Sequence, residues 1–232
     1  MRRTLKALSL LLSYPTEELK AGAGELRAAL ADEALLKPQT RAAMAVLLDS
    51  FERDELLDLQ GRYVDLFDRT RSLSLHLFEH VHGESRERGQ AMIDLRATYA
   101  EHGFEMTPAE LPDYLPAFLE FASLLPPREA RQLLREPAHV LQALHERLAK
   151  RGSPYAAVFT ALLEAARTRP SPEALEDLRR QPDAAADDFE AVDAAWEEAP
   201  VRFGPEAPQP TGFVAKLRAW KRPAEPAPPA AS

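Results

Sequence analysis

The sequence contains no cysteine. That excludes disulfides, thiol nucleophiles and iron–sulfur clusters held by the protein's own thiolates. β-branched aliphatic residues are scarce too, with one isoleucine (Ile93) and eight valines against 35 leucines. Sheets are built from β-branched and aromatic residues, whereas leucine and alanine favour helices, so the bias excludes a sheet-based core and predicts an all-α protein. A basic excess is also missing: 29 Lys and Arg face 37 Asp and Glu, a net charge of −8. A nucleic-acid binder would show the opposite balance. No apolar run reaches the roughly 18 residues that cross a bilayer, which argues against stable membrane insertion. Arg2, Arg3 and the leucines that follow imitate a short secretory leader. Lys6 beside the apolar stretch and the want of a small-residue cleavage site oppose that, so the start is read as an amphipathic helix and a cytoplasmic location is expected.

What is present is helix punctuation. Leu5, Leu8, Leu11 and Leu12 make a stripe that ends at Pro15, and Thr16 is a cap for a helix reaching about residue 31. Pro38 opens a third helix, and Asp54 is a cap for one burying Leu56, Leu59, Tyr63 and Leu66. Gly83 closes a short element, Ser85 starts a helix that stops at Gly103, and further helices are expected over 113–125, 127–135, 137–150 and 154–169. Gly89 inside a helix suggests close helix approach. The pattern predicts a single multi-helix bundle of about nine or ten helices with sequential helices antiparallel.

Charge divides the chain into three. Residues 1–170, the expected all-α core, are near neutral. Residues 171–203 form an acidic, mobile helical segment in which 171–199 hold ten acids against Arg179 and Arg180. Residues 204–232 make a Pro/Ala-rich basic tail expected to be disordered. Within the tail Phe213, Val214, Leu217 and Trp220 form a small apolar stripe, for which solvated disorder is favoured over docking.

The densest chemical stretch runs from Ser74 to Gly83. His76-Leu-Phe-Glu-His80 matches the H-x-x-E-H zinc pattern, with Glu79 as a base and His82 nearby. The competing reading is a helix end whose histidines cap carbonyls and pack on the core. Residues 72–77 also alternate polar and apolar like a strand, but with no partner strand evident they are kept as helix or turn. In the second cluster, Glu110-Leu-Pro-Asp-Tyr114, Pro116 confines the helix start to Asp113, whose carboxylate would accept from the Leu115 N–H. A sharper reading makes Asp113 an acid lining a groove for a basic peptide. Leu115, Phe118, Leu119, Ala122 and Leu125 face the core. Arg86 and Arg88 beside Glu84 and Glu87 read as a solvated ion-pair face worth little.

These words resemble a known family. Tyr63-Val-Asp-Leu-Phe-Asp-Arg69, Leu77-Phe-Glu-His-Val-His-Gly-Glu-Ser-Arg86, Arg88-Gly-Gln-Ala-Met92 and Glu110-Leu-Pro-Asp113 are similar to the NarJ family of respiratory nitrate reductase assembly chaperones, within the TorD/DmsD/NarJ class. Weaker similarity at Leu12-Ser-Tyr-Pro15, Ala194-Ala-Trp-Glu-Glu198 and Val201-Arg-Phe203 extends it over residues 5–203. The resemblance implies a non-enzymatic helical chaperone without a cofactor or metal of its own. Its implied partner is the apo catalytic (molybdenum) subunit, bound through an N-terminal helical peptide. Molybdenum cofactor and iron–sulfur clusters would be inserted before membrane attachment, the chaperone would be absent from the final enzyme, and molybdenum cofactor biosynthesis proteins would be further partners. Taken with the chemistry above, it nominates a client-peptide surface of Tyr63, Phe67, Phe78, Glu79, His80, His82, Arg86, Glu110, Asp113, Tyr114 and Phe118. Two departures stand out: Tyr114 replaces the histidine of the class's Pro-Asp-His word, and the family places an apolar residue where this chain has His76. The alternatives are a zinc-dependent hydrolase using His76, Glu79 and His80, and a helical adaptor for another molybdoenzyme.

Overall fold

The computed structural model describes residues 1–82, 86–107, 110–181 and 183. They form twelve α-helices: α1 (Arg2–Leu11), α2 (Glu17–Ala21), α3 (Ala23–Asp32), α4 (Pro38–Arg53), α5 (Leu56–Tyr63), α6 (Leu77–His82), α7 (Arg86–Glu101), α8 (Leu115–Leu124), α9 (Pro127–Arg135), α10 (Ala138–Lys150), α11 (Ala156–Ala166) and α12 (Pro172–Arg180). The all-α expectation holds. The count exceeds nine or ten partly because the expected 16–31 helix breaks at Gly22 into α2 and α3. Thr16 caps α2 as expected, its hydroxyl accepting from the Leu19 N–H at 3.2 Å. Asp54 does not cap α5; it ends α4, and its carboxylate pairs with Arg62. Beyond α5 the chain widens into a π-helical turn at Val64–Asp68.

Two helices are apolar nearly all round, the mark of a helix buried on every side. In α8 every residue except Glu120 and Leu124 is buried, and α11 buries Ala157, Val158, Phe159, Ala161, Leu162, Ala165 and Ala166. The stripe of α1 packs along α8, where the Ser9 hydroxyl donates to the Pro116 carbonyl at 2.7 Å. Around this centre α3 and α4 pair, α4 and α10 flank α11, and α12 lies on α10. Each leucine taken fully from water contributes about 2 kcal/mol, so this layer carries the stability. At Gly89 an added Cβ would meet nothing within 4 Å, so the expected close approach is absent there.

The 72–77 stretch is a turn rather than a strand, as expected: Arg71–Leu73 form a 3-10 turn, Leu77 opens α6, and one residue between them bridges. Leu73, Leu75 and Leu77 are buried, and His76 forms an antiparallel bridge with Tyr114. The Leu115 N–H donates to the Leu75 carbonyl at 2.8 Å and the Leu77 N–H to that of Asp113 at 3.0 Å. The partner was hidden because it is a turn before a helix rather than a strand.

The acidic segment begins anchored. Leu175 and Leu178 bury the apolar side of α12, and Arg147 donates to the carbonyls of Ser72 at 2.7 Å and Leu178 at 2.6 Å. Asp183 accepts from the Ser72 hydroxyl at 2.9 Å and pairs with Arg151 at 2.6 Å. The expected mobility of the rest of 171–203, the Trp196 word and the expected disorder of 204–232 lie outside the described residues. Among the described residues no helix is long and apolar enough to cross a membrane.

Candidate functional site

Asp113 sits with no exposed surface where the bridge meets the start of α8. The N-cap of α8 is Tyr114, not Asp113, because the Leu115 N–H is already taken by Leu75. The Asp113 carboxylate turns instead to a different helix. One oxygen accepts from the Phe78 N–H at 3.1 Å, in the first turn of α6, and the other lies 3.3 Å from His76 Nδ1. Asp113 is thus the cap of α6, supplied from 35 residues downstream. A carboxylate is favoured there by the unpaired amides and the positive end of a helix.

Tyr114, set beside Asp113, carries the site outward. Its ring lies 5.3 Å from that of His76, and its hydroxyl is 2.9 Å from that of Tyr63. The Tyr63 hydroxyl also donates to the Leu12 carbonyl at 2.9 Å. Rings continue from there, Tyr14 edge-on to Tyr63, then Phe67, then Tyr155. Tyr155 forms one wall of an apolar crevice of about 260 Å³, shared with Leu47, Leu59 and Leu66 and edged by Arg62 and Asp65. Tyr14 and Leu111, in the turn that delivers Tyr114, are two of the exposed large apolar side chains. The result is an aromatic ladder with an exposed end and an apolar hollow beside it, tied together by segments far apart in sequence.

The nominated residues separate clearly. His76, Tyr114, Tyr63 and Phe67 are brought together, the last two buried with their edges in the ladder. Phe78, Phe118 and Asp113 are fully enclosed and shape the site from behind. Glu79 is engaged by Arg88 at 3.0 Å, so Arg88 is not part of a solvated face with its chain neighbours. Glu110 stands exposed, accepting from the Thr107 hydroxyl at 3.0 Å. His82 is buried against Phe78, with Nδ1 3.8 Å from Glu87. The side chain of Arg86 lies outside the described residues. Sequence reading missed Leu47, Leu59, Leu66 and Tyr155 as a surface; Leu59 and Leu66 carried a signal, as residues expected inside.

The zinc reading fails on geometry. His76 lies on the bridge before α6 begins, so it does not share a helical face with His80. His80 is buried with Nε2 donating to the Ser74 carbonyl at 2.8 Å, since a carbonyl can only accept. Burial, and then the nearby Arg147 charge, push its pKa down to about 4 against the pull of that hydrogen bond. Burial likewise lowers His82 and raises the Tyr63 and Tyr114 phenols. The Tyr63 and Tyr114 hydroxyls are therefore uncharged near neutrality. Among the described residues no three His, Asp or Glu side chains are grouped to hold a metal ion.

Known proteins resemble this chain in fold and in sequence. A crystal structure of a protein from Archaeoglobus fulgidus, assigned to redox enzyme maturation, superposes with a TM-score of 0.54 over 72% of this chain and 94% of its own, at 21% identity. That likeness fixes the fold. In sequence, the chain is 42% identical over 200 residues to the nitrate reductase molybdenum cofactor assembly chaperone NarJ of Escherichia coli K12, spanning 86% of this chain and 84% of that one. NarW of the same strain, assigned to the same assembly role, is 40% identical over 199 residues, 86% of this chain and 83% of its own. These relatives are named as assembly chaperones rather than catalysts. The profile of the nitrate reductase delta subunit family matches residues 17–161, from the first residue of α2 into α11, and so takes in the bridge, the α6 cap and the aromatic ladder apart from Tyr14. By both measures the chain belongs to the nitrate reductase delta subunit family.

Proposed function

We propose that the protein is a cytoplasmic, non-enzymatic chaperone for the apo catalytic subunit of a respiratory nitrate reductase. It takes the subunit's N-terminal helical peptide and holds the subunit in a state open to molybdenum cofactor and iron–sulfur cluster insertion. It then leaves before the enzyme is complete on the membrane. The observation that carries this reading is the 42% identity to NarJ across 86% of the chain.

The site chemistry supports it. An amphipathic helix can lay its apolar face on the crevice of Leu47, Leu59, Leu66 and Tyr155 and on the exposed edge of Tyr14 and Tyr114. Exposed acids such as Asp65 and Glu110 favour a partly basic peptide, giving preference more than affinity. Because the Tyr63 and Tyr114 hydroxyls are held by hydrogen bonds, this surface is preformed, and less ordering is needed on binding. Calorimetric titration of the full chain with the N-terminal peptide of the catalytic subunit tests the idea. Saturable heat at micromolar peptide is expected, and neither heat nor chemical-shift change at tens of micromolar would overturn it. In cells, removing the gene should leave the subunits made but cofactor-poor and inactive.

A further inference from the structure

Away from the ladder, a second and more polar cleft of about 640 Å³ lies between the 35–37 turn, α10 and the end of α11. In a chain of net charge −8 its wall carries the cations Lys37, Arg167 and Arg169, and the His145 ring lines it beside them. Neither Arg167 nor Arg169 has an ion-pair partner among the described residues. His145 donates from Nδ1 to the Ala156 carbonyl at 3.1 Å, which leaves Nε2 as the nitrogen free for a ligand. The acid on the wall, Glu164, is already engaged. One oxygen accepts from the Thr40 hydroxyl at 2.9 Å and lies 3.3 Å from Lys37 Nζ, and the other accepts the Lys37 N–H at 3.0 Å. Carbonyls at the C-terminus of α11 would repel an anion, but Arg135 donates to that of Ala166 at 3.2 Å, and the Arg167 N–H meets those of Leu163 and Glu164.

Backbone strain converges on the same place. Among the described residues two non-glycine positions have left-handed backbone, Ala34 at φ 45° and Arg167 at φ 50°. Arg167 lines the cleft, and Ala34 directly precedes Leu35, which lines it from the other rim. Side chains disfavour this conformation, and it persists where surrounding structure holds it, often beside ligand sites. The volume lies within the usual range for small-molecule sites and far exceeds a bare phosphate. Leu35 and Leu163 add an apolar patch for an organic moiety.

We infer that this cleft binds a phosphate-bearing small molecule, a phosphomonoester or a diphosphate ester. Arg167 and Arg169 form the anion-binding pair, Lys37 and His145 support them, and Leu35 and Leu163 seat the organic part. Guanidinium groups suit this task because their planar donors match phosphate oxygens two at a time. The inference does not rest on the chaperone reading.

Calorimetry on the full chain at low salt with inorganic phosphate, pyrophosphate and phenyl phosphate tests it. Saturable binding is expected, with phenyl phosphate tighter than inorganic phosphate. The double variant Arg167→Gly/Arg169→Gln should weaken binding at least about tenfold. Glycine suits the left-handed position, so this variant keeps its thermal unfolding curve. Three results overturn the proposal. One is no saturation by any probe below about 5 mM. Another is affinity unchanged in the double variant, which makes the phosphate an adventitious ion only. The third is a synthetic peptide of residues 184–199 displacing pyrophosphate at lower concentration, which gives the cleft to the chain's own acidic stretch.

Discussion

Asp113 does its work on a helix other than its own. The helix-start character of Glu110-Leu-Pro-Asp113 was legible because proline and aspartate punctuate local backbone. Its partner Phe78 was not, since nothing local specifies a contact 35 residues away. Removing the carboxylate strips the first turn of α6 of its cap and leaves a buried amide unpaired, so Asp113→Ala should cost about 2–3 kcal/mol in urea unfolding. Asp113→Asn keeps an acceptor and should lose about half of that. His80 gives a pH test. Its native pKa of about 4 lies below the ordinary 6.5, so the unfolded chain binds the proton first. Stability is full above pH 6.5, falls as pH drops from 6.5 to 4, and levels below that, with a total loss of about 3 kcal/mol from this group. Urea midpoints at pH 7.5 and 4.5 should therefore separate more in the wild type than in His80→Gln.

Elements were easier to read than their junctions. The core-facing set of α8 and the prolines opening α4 and α9 follow from local chemistry and reappear in the structure. Arg147 escaped notice because it sits in the polar-looking sequence Glu146-Arg-Leu-Ala-Lys150, where arginine ordinarily faces water. Docking of α12 encloses it to 7% exposure and directs it at two carbonyls from two segments. Arg147→Met keeps much of the volume but leaves the Ser72 and Leu178 carbonyls unserved. Limited proteolysis after α11 should then be about tenfold faster, a local opening cheaper by ~1.4 kcal/mol. If cleavage rates match the wild type, Arg147 is not what holds α12. The π-helical turn after α5 belongs here as well. It places Phe67 between Tyr63 and Tyr155, and no residue type announces such a turn.

At the scale of the molecule, charge and shape divide the surface into an apolar, aromatic region and a cationic cleft on an acidic protein. If apolar burial gives the client peptide its affinity, raising salt from about 50 to about 500 mM should weaken binding less than about tenfold, because only exposed charge pairs are screened. A loss of a hundredfold would move the affinity to Asp65, Glu110 and their neighbours. Tyr63→Phe should lower peptide affinity a few-fold and stability by about 1 kcal/mol, through the lost bonds to Leu12 and Tyr114. The sequence by itself determined the all-α class, the helix-opening prolines, the absence of thiol chemistry and, through long specific words, the family. Those properties are local or compositional, written in residue type and spacing. The tertiary structure decided which carboxylate caps which helix, which aromatic rings stack, where the crevice opens and which arginines line the cationic cleft. Each depends on residues distant in the chain meeting in space, and a linear pattern carries no information about those distances.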